Sequence, residues 1–383
     1  MRRLSLLLAA AMLAVWLAPG ASAVELDTAG KSACLMDVAT GTVLYEKNAH
    51  EKLAPASVTK IMTMLLIMEA IDDGRIRWTD TVTASETAAA KGGSQIYLKV
   101  GETMSVSDMV KSIAVSSAND CACAMAEHLA GSEQAFVEKM NEKAALLGMA
   151  DTHFVNCTGL DDGADAAQHR TSAYDVALMS RQLLKYHPGI TEYTKIWMDS
   201  VRHGSFGLSN TNKLIRFYPG ATGLKTGFTA GAGYCLSATA EREGLELIAV
   251  VMGAETSAAR NASCKALLDY GFATYALVTP ELAQAAAVPV KLGTAAQVEA
   301  RLPEQEGLLI DKADKGAVTT DITLEPALTA PVSQGQTLGS MTIKAGDRVL
   351  AQLPLVAAQS VPRMTCWQVY AAVLKRAAMG ASL

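Results

Sequence analysis

One segment near the N-terminus constrains the fold of this chain more than any other. From residue 57 to residue 71 the sequence is almost uniformly apolar, and Lys60 is its only basic residue. A helix that is apolar on all sides is buried in a protein core. The segment is too short to cross a bilayer, which takes ~20 residues. We therefore expect a core built around this helix, with a lysine inside it.

Strand patterns lie near the two ends of the segment 24–276, and helical patterns lie between them. Residues 33–37 and 42–45 flank a Thr40-Gly41 turn and predict a hairpin. This order predicts one α+β domain over 24–276, whose sheet joins N- and C-terminal strands. The remaining predicted elements are helices at 107–130, 133–147, 172–186 and 259–270, the last with Gly271 as its C-cap, and strands at 224–226, 234–240 and 245–252.

The composition changes after residue 276. Residues 277–358 hold short alternating runs and many turn residues, and 340–343 and 348–351 predict another hairpin, so this part is expected to be a small all-β domain. The tail, 360–383, contains three basic residues and no acidic one, and Trp367 and Leu374 fall on one helical face. Such a helix is typical of a membrane-surface anchor. The alternative is a helix that docks on its own protein.

The N-terminal segment 1–23 has the pattern of an export signal. Arg2 and Arg3 precede an uncharged apolar run over 4–17, and Ala21-Ser22-Ala23 supplies a small-x-small cleavage site. The alternative is an uncleaved transmembrane anchor, but the run is shorter than the ~20 residues a span needs. We therefore expect an exported protein at the outer face of the cytoplasmic membrane or in the cell envelope.

Charge and cysteine content exclude several classes of protein. The formal net charge of −5 becomes −7 when two arginines leave with the signal, which disfavours a nucleic-acid partner. The seven cysteines form no Cys-x-x-Cys pair, and the six histidines are scattered, so no metal site and no cofactor are expected. The cysteines are expected to be small buried residues, with a disulfide framework as the alternative.

The strongest chemical signal is Ser57-Val58-Thr59-Lys60. On a helix, positions i and i+3 share a face, so the two side chains are within reach of each other. A serine hydroxyl is a poor nucleophile until a base takes its proton, and burial lowers the pKa of a lysine so that it can be that base. The alternative, a capping serine beside a snorkelling lysine, would leave an unpaired charge in an apolar helix.

Two further motifs follow Ser57 along the chain. Ser117-Ala118-Asn119 comes first after Ser57, and Lys225-Thr226-Gly227 comes much later in the chain. Each motif alone is weak evidence, since the first could be a polar turn and the second the end of a strand. Together with Ser-x-x-Lys they form the signature of penicillin-binding proteins and class A β-lactamases.

Longer segments resemble one family. The chain is similar over nearly its whole mature length to low-molecular-mass penicillin-binding proteins of the serine D-alanyl-D-alanine carboxypeptidase type, peptidase family S11. The resemblance implies a β-lactamase/DD-peptidase-like catalytic domain, with an antiparallel sheet flanked by helices. It also implies an all-β second domain and a C-terminal amphipathic membrane anchor. The segments that carry it are 54–63, 154–161, 224–229 and 232–234.

The resemblance also implies roles for residues of this sequence. Ser57 would attack the carbonyl of the penultimate D-alanine, Lys60 would take its proton, and Ser117 would shuttle a proton. The backbone N–H groups of Ser57 and Phe228 would form the oxyanion hole, although the family often has histidine where Phe228 stands. The residues implied to bind substrate are Asn119, Lys225, Thr226, Gly227, Phe228 and Arg260.

The implied substrate is the peptide stem of peptidoglycan, from which the terminal D-alanine would be removed, with β-lactams as inhibitors. A β-lactamase is one alternative, but no Glu-x-x-x-Asn lies between the second and third motifs to support fast deacylation, and only the Asp161-Asp162 pair offers acids there. A non-catalytic peptidoglycan-binding protein of the same fold is the other. It has no need for two lysines beside a serine.

Overall fold

The computed structural model describes residues 26–282 and 286–378. The predicted signal segment, 1–23, lies outside the described residues. Helices in the described part are α1 (Lys60–Asp72), α2 (Glu86–Ala89), α3 (Val106–Ser116), α4 (Asn119–Ala130), α5 (Glu133–Leu146), α6 (Ala173–Tyr186), α7 (Thr191–Thr194), α8 (Leu214–Phe217), α9 (Ser257–Thr274) and α10 (Cys366–Ala378).

Strands are more numerous in the C-terminal third. In chain order they are β1 (Ser32–Asp37), β2 (Val43–Lys47), β3 (Thr81–Thr83), β4 (Thr103–Ser105), β5 (Met198–Val201), β6 (Phe206–Ser209), β7 (Ala221–Thr229), β8 (Gly233–Arg242), β9 (Leu245–Ala254), β10 (Tyr275–Val278), β11 (Ala287–Lys291), β12 (Gln297–Arg301), β13 (Leu308–Asp311), β14 (Val318–Leu324), β15 (Leu328–Thr329), β16 (Thr337–Ala345) and β17 (Arg348–Ala357).

A five-stranded antiparallel sheet organises the first domain, in the order β2-β1-β9-β8-β7. Strand β1 of the N-terminal hairpin pairs with β9, so that Ser32 lies opposite Met252, which confirms the predicted joining of the two ends. One face packs against α6 and α1, which belong to a larger helical core, and the other packs against α9. β7 is an edge strand, so one of its sides is free to meet the nucleophile segment and a ligand.

Helix α1 lies at the centre of this domain, as its composition predicts. Nine of its side chains are buried, including the completely inaccessible Ile61 and Leu65. Burying each such side chain contributes about 1.5–3 kcal/mol. One detail differs from the prediction, because Ala56–Thr59 forms a 3₁₀ turn and the α-helix begins only at Lys60.

Two other helix predictions are wrong in instructive ways. The predicted helix 107–130 is two helices, α3 and α4, since Ser117 has a left-handed backbone with φ of 62° and ends α3. Gly271 is not the C-cap of α9, because the helix continues to Thr274. A Cβ on Gly271 would lie 2.5 Å from a methyl carbon of Leu247, so the glycine lets α9 pack closely on the sheet.

The C-terminal part is all-β, as predicted, and has its own apolar core. Its six-stranded sheet has the order β14-β16-β17-β12-β11-β15, and β16 and β17 form the predicted hairpin. All seven cysteines lie in the described residues and none is paired. Six are buried as expected, whereas Cys366 on α10 is exposed, because that helix presents most of its surface to solvent.

Candidate active site

The nucleophile segment enters α1 through a tight turn. Ala56 has a φ of 48°, a conformation that costs a non-glycine residue about 1–2 kcal/mol. The turn leaves Ser57 half-buried at the surface of the core while Lys60 lies inside it. Lys60 Nζ is 2.9 Å from Ser57 Oγ and 2.7 Å from the carbonyl oxygen of Thr158. The predicted serine and lysine are therefore in direct contact.

Burial sets the protonation of Lys60. The side chain is completely inaccessible, and burial lowers its pKa to about 7, against weaker opposing effects of Cys157 and Asp120. At neutral pH a large fraction of this lysine is therefore uncharged, and its Nζ lies within hydrogen-bond distance of the Ser57 hydroxyl. That is the state that a general base requires.

The second motif lies at the break between α3 and α4. The left-handed Ser117 turns the chain so that Asn119 begins α4, where the Asn119 N–H donates to Ser94 O and Nδ2 donates to Gly92 O. Ser117 Oγ and Asn119 Oδ1 are both buried and have no hydrogen-bond partner within the described residues. An unsatisfied buried polar atom costs about 1–3 kcal/mol, so both atoms are suited to meet a ligand.

The third motif lies in the middle of β7, alongside the nucleophile turn. A Cβ on Gly227 would lie 2.8 Å from Pro55 O and 3.1 Å from Ser57 N, so only glycine lets the strand pass this close. Lys225 is buried, and burial together with the charge of Lys60 lowers its pKa well below the ordinary value. Thr226 Oγ1 donates to Thr211 Oγ1 at 2.6 Å. The first and third motifs thus meet at Ser57.

Two other predicted residues have their side chains in contacts of their own. Phe228 is 55% exposed, and its ring lies 4.3 Å from the ring of Tyr234. Arg260 is buried on α9, where it donates to Cys235 O and to Asn261 Oδ1. Within the described residues it makes no hydrogen bond to Lys225 or Thr226, but its charge contributes to the lowered pKa of Lys225, so it lies near the third motif without binding it.

Two residues that the sequence analysis did not single out hold the segments around Lys60 and Asn119 in place. Asn156 Oδ1 accepts from the N–H groups of Thr158 and Gly159, which aims the Thr158 carbonyl at Lys60. The buried carboxylate of Asp120 accepts from the N–H groups of Ile96 and Leu98 and so holds the loop beside Asn119. Asp120 directly follows Asn119 in the sequence, and this position next to the second motif could have indicated its role.

Gly159 offers a direct test of this positioning. A Cβ there would lie 1.8 Å from Ala56 O, and its φ is 83°. We expect Gly159→Ala to lower the free energy of unfolding by about 2–4 kcal/mol, from backbone strain and overpacking together. It should also lower the rate at which an acylating agent reacts with Ser57 at least tenfold, because the Thr158 carbonyl shifts away from Lys60. Denaturant unfolding and the acylation rate measure the two effects.

Gly148→Ala is the matched control. Gly148 has a φ of 72°, but no atom lies within 4 Å of the added Cβ. It should cost only about 1 kcal/mol of backbone strain and leave acylation unchanged. Equal losses of acylation in the two variants would contradict the positioning role of the Thr158 segment.

Fold and site together define a class of protein. A serine in contact with a buried lysine of lowered pKa, beside an edge strand with a second lysine and a pair of unsatisfied polar atoms, is the arrangement of a serine acyl-transfer enzyme that uses lysine as its base.

Comparisons with known proteins specify the class further. The family model for D-alanyl-D-alanine carboxypeptidase, peptidase S11, matches residues 19–256, and the model for the penicillin-binding protein 5 C-terminal domain matches 281–363. A D-alanyl-D-alanine carboxypeptidase of Bacillus subtilis is 45% identical, over 88% of this chain and 87% of that protein. The chain therefore belongs to the D-alanyl-D-alanine carboxypeptidase family, and it is a serine-type enzyme of that activity.

Solved structures agree with this assignment. Penicillin-binding protein 5 of Haemophilus influenzae has a TM-score of 0.75 at 28% identity, covering 90% of this chain and 100% of that chain. Penicillin-binding protein D2 of Listeria monocytogenes, in its ampicillin-bound form, has a TM-score of 0.57 at 32% identity, covering 65% of this chain and 99% of that chain. The likeness to the first includes both domains, which confirms the predicted fold class.

Proposed function

We propose that the enzyme removes the terminal D-alanine from peptidoglycan stem peptides through an acyl-enzyme on Ser57. Ser57 Oγ attacks the carbonyl carbon of the penultimate D-alanine, and its proton passes to Lys60 Nζ. The C–N bond breaks, and the departing amine takes up a proton as free D-alanine. Water then hydrolyses the ester. The observation that carries this proposal is the 2.9 Å contact between Ser57 and a lysine whose pKa is about 7.

The other predicted residues hold the substrate in this scheme. Lys225 and Thr226 bind the terminal carboxylate at one side of Ser57, and Asn119 binds the peptide backbone at the other. Ser117 relays the proton to the leaving amine. The oxyanion is held by the backbone N–H groups of Ser57 and Phe228, a role that the close passage of Gly227 past Ser57 N supports. Arg260 adds positive charge near the carboxylate end.

Release of D-alanine from diacetyl-Lys-D-Ala-D-Ala tests the reaction. The purified enzyme should release one D-alanine per peptide. It should also be blocked by a β-lactam, because the strained amide acylates Ser57 as the substrate does. The β-lactamase alternative is distinguished by nitrocefin, which the proposed enzyme should bind stoichiometrically and hydrolyse slowly. Fast turnover of nitrocefin would contradict the proposal.

Export and membrane attachment complete the proposed function. We take 1–23 as a signal, 24–276 and 277–358 as the two domains, and 360–383 as the anchor, with the enzyme at the outer face of the cytoplasmic membrane. Within the described residues no helix is long and apolar enough to cross a membrane. Helix α10 instead exposes Trp367 and Leu374, at 80% and 52%, which supports binding at a membrane surface.

The anchor can be tested with vesicles. The double substitution Trp367→Ser with Leu374→Ser should weaken binding to phosphatidylglycerol vesicles at least tenfold, since each buried large apolar side chain contributes about 1.5–3 kcal/mol. Cosedimentation measures the binding. Ala372→Ser, on the opposite face of the helix, is the control and should bind like the parent. Equal binding by the double variant would show that α10 does not anchor the enzyme.

A further inference from the structure

A series of buried hydrogen bonds lies beneath the nucleophile turn. It begins with Thr59, which is completely inaccessible and stands between Ser57 and Lys60 in the chain. The Thr59 hydroxyl donates to the carbonyl oxygen of Ala56 at 2.8 Å. Ala56 is the residue with the left-handed backbone, and its carbonyl belongs to the peptide group that leads into Ser57. The Thr59 hydroxyl therefore holds the peptide group from which the nucleophile projects.

His169 is the next member of this series. Its ring is almost completely buried, and Nε2 lies 2.8 Å from Thr59 Oγ1. The other ring nitrogen, Nδ1, accepts from the Val155 N–H at 3.3 Å. Nδ1 therefore carries no proton, and the proton of the neutral ring is on Nε2. Because the Thr59 hydroxyl already donates to Ala56, its oxygen is left to accept from the Nε2–H of His169.

The surroundings keep this ring uncharged. Burial lowers the pKa of His169 to about 4, and the electrostatic effects of His153, Arg170 and Lys60 act in the same direction. A second ring proton, on Nδ1, would also face the N–H of Val155. At neutral pH the ring is therefore a neutral group with one fixed donor, directed at Thr59, and one fixed acceptor.

The backbone that follows this histidine is anchored on both sides. Thr171 exchanges two backbone hydrogen bonds with Leu53, at 2.8 and 2.9 Å, just before the nucleophile turn. Arg170 exchanges two with His153, at 2.8 and 3.1 Å, in the stretch that leads to Thr158. The histidine thus stands at the junction of the two segments that supply the nucleophile and the carbonyl in contact with its base.

We propose that His169 is a positioning residue for the acylation of Ser57, and that it acts through the Thr59 hydroxyl on the peptide group between Ala56 and Ser57. The inference rests on the proposed function, in which Ser57 is the nucleophile, and adds a residue to it. A peptide group is planar, so a held Ala56 oxygen also sets the direction of the Ser57 N–H. The series thus fixes both the nucleophile and one donor of the oxyanion hole.

Two replacements of the ring separate its two hydrogen bonds. A glutamine amide N–H reaches the position of Nε2 and can still donate to Thr59, whereas an asparagine amide reaches only the position of Nδ1. We expect His169→Asn to lower kcat/KM for D-alanine release from diacetyl-Lys-D-Ala-D-Ala by about 10- to 100-fold, as for a displacement of about 1 Å at a reacting group. His169→Gln should recover most of the parent value.

Thr59 provides a second arm of the experiment. Thr59→Val removes the hydroxyl at nearly constant shape and should lower kcat/KM by a similar factor, whereas Thr59→Ser should keep most of it. Adding His169→Asn to Thr59→Val should cause little further loss, because both changes act through one hydroxyl. This arm still decides the matter if His169→Asn does not fold, which circular dichroism verifies for each variant.

His187→Asn is the matched control. It makes the same replacement at another largely buried histidine, which pairs with Asp72 at the opposite end of α1 from Lys60. It should keep the parent kcat/KM.

Three results would overturn the inference. They are parent-like kcat/KM in folded His169→Asn or in Thr59→Val, equal losses in His169→Asn and His169→Gln, and additive losses in the double variant. In the last two cases the ring would act only as part of the core. Failure of the parent itself to release D-alanine would instead refute the proposed function.

Discussion

Ser57→Ala is expected to reduce D-alanine release by a factor on the order of 10⁴ or more, the range seen when a catalytic nucleophile is removed. The hydroxyl is the only group lost, and Lys60 keeps its contact with the Thr158 carbonyl. The fold should therefore be unchanged. The measurement is D-alanine released from diacetyl-Lys-D-Ala-D-Ala, beside the mass of the protein after incubation with ampicillin.

The parent should gain the mass of one β-lactam, and Ser57→Ala should gain none. Ser205→Ala, at an exposed turn, is the control and should acylate like the parent. A β-lactam adduct on the Ser57→Ala protein would place the nucleophile elsewhere. Full D-alanine release by this variant would refute the whole mechanism.

Removal of the base should have the second-largest effect. Lys60→Met keeps an unbranched apolar side chain in the core, and Lys60→Arg keeps a cation that cannot lose its proton. Both should lower kcat/KM about 10²–10⁴-fold, the range for loss of a general base. The parent should also lose activity as the pH falls through about 7, because Lys60 then becomes protonated and cannot accept the proton of Ser57.

The pH profile separates a chemical role from a structural one. In Lys60→Met the residual activity should no longer fall through pH 7, whereas a merely structural lysine would leave the parent profile in place at a lower level. Circular dichroism verifies that the variants are folded. An unchanged acid limb in Lys60→Met would assign that titration to another group.

The core of the site was predictable because its spacing survives a change of helix type. Ser57 lies in a 3₁₀ turn and not in the first turn of an α-helix. In a 3₁₀ helix positions i and i+3 eclipse, so Ser57 and Lys60 still meet. The apolar pattern of α1 also predicted burial of the lysine, and with it the direction of its pKa shift.

The arrangement of the other elements was less predictable. A continuous helix through Ser117 satisfies the local pattern, but tertiary contacts override it, because Asn119 binds the backbone at Gly92 and Ser94. Gly271 has the sequence pattern of a helix C-cap, but its role is to let α9 pack closely on the sheet at Leu247, which the local sequence does not reveal. The contact between Lys60 and Thr158 joins residues 98 positions apart, which no local pattern encodes.

The completely inaccessible position of Lys60 also links reactivity to how well the interior excludes water. Its lone pair exists at neutral pH only while the surrounding medium has a low dielectric constant. A cavity or a water-filled channel opened along α1 would let solvent stabilise the ammonium form of Lys60. Ser57 would then have no base to take its proton, although every active-site atom would still be in place. Leu65 and Ile61 touch no substrate, but by excluding water from the core around Lys60 they help to keep its amine uncharged.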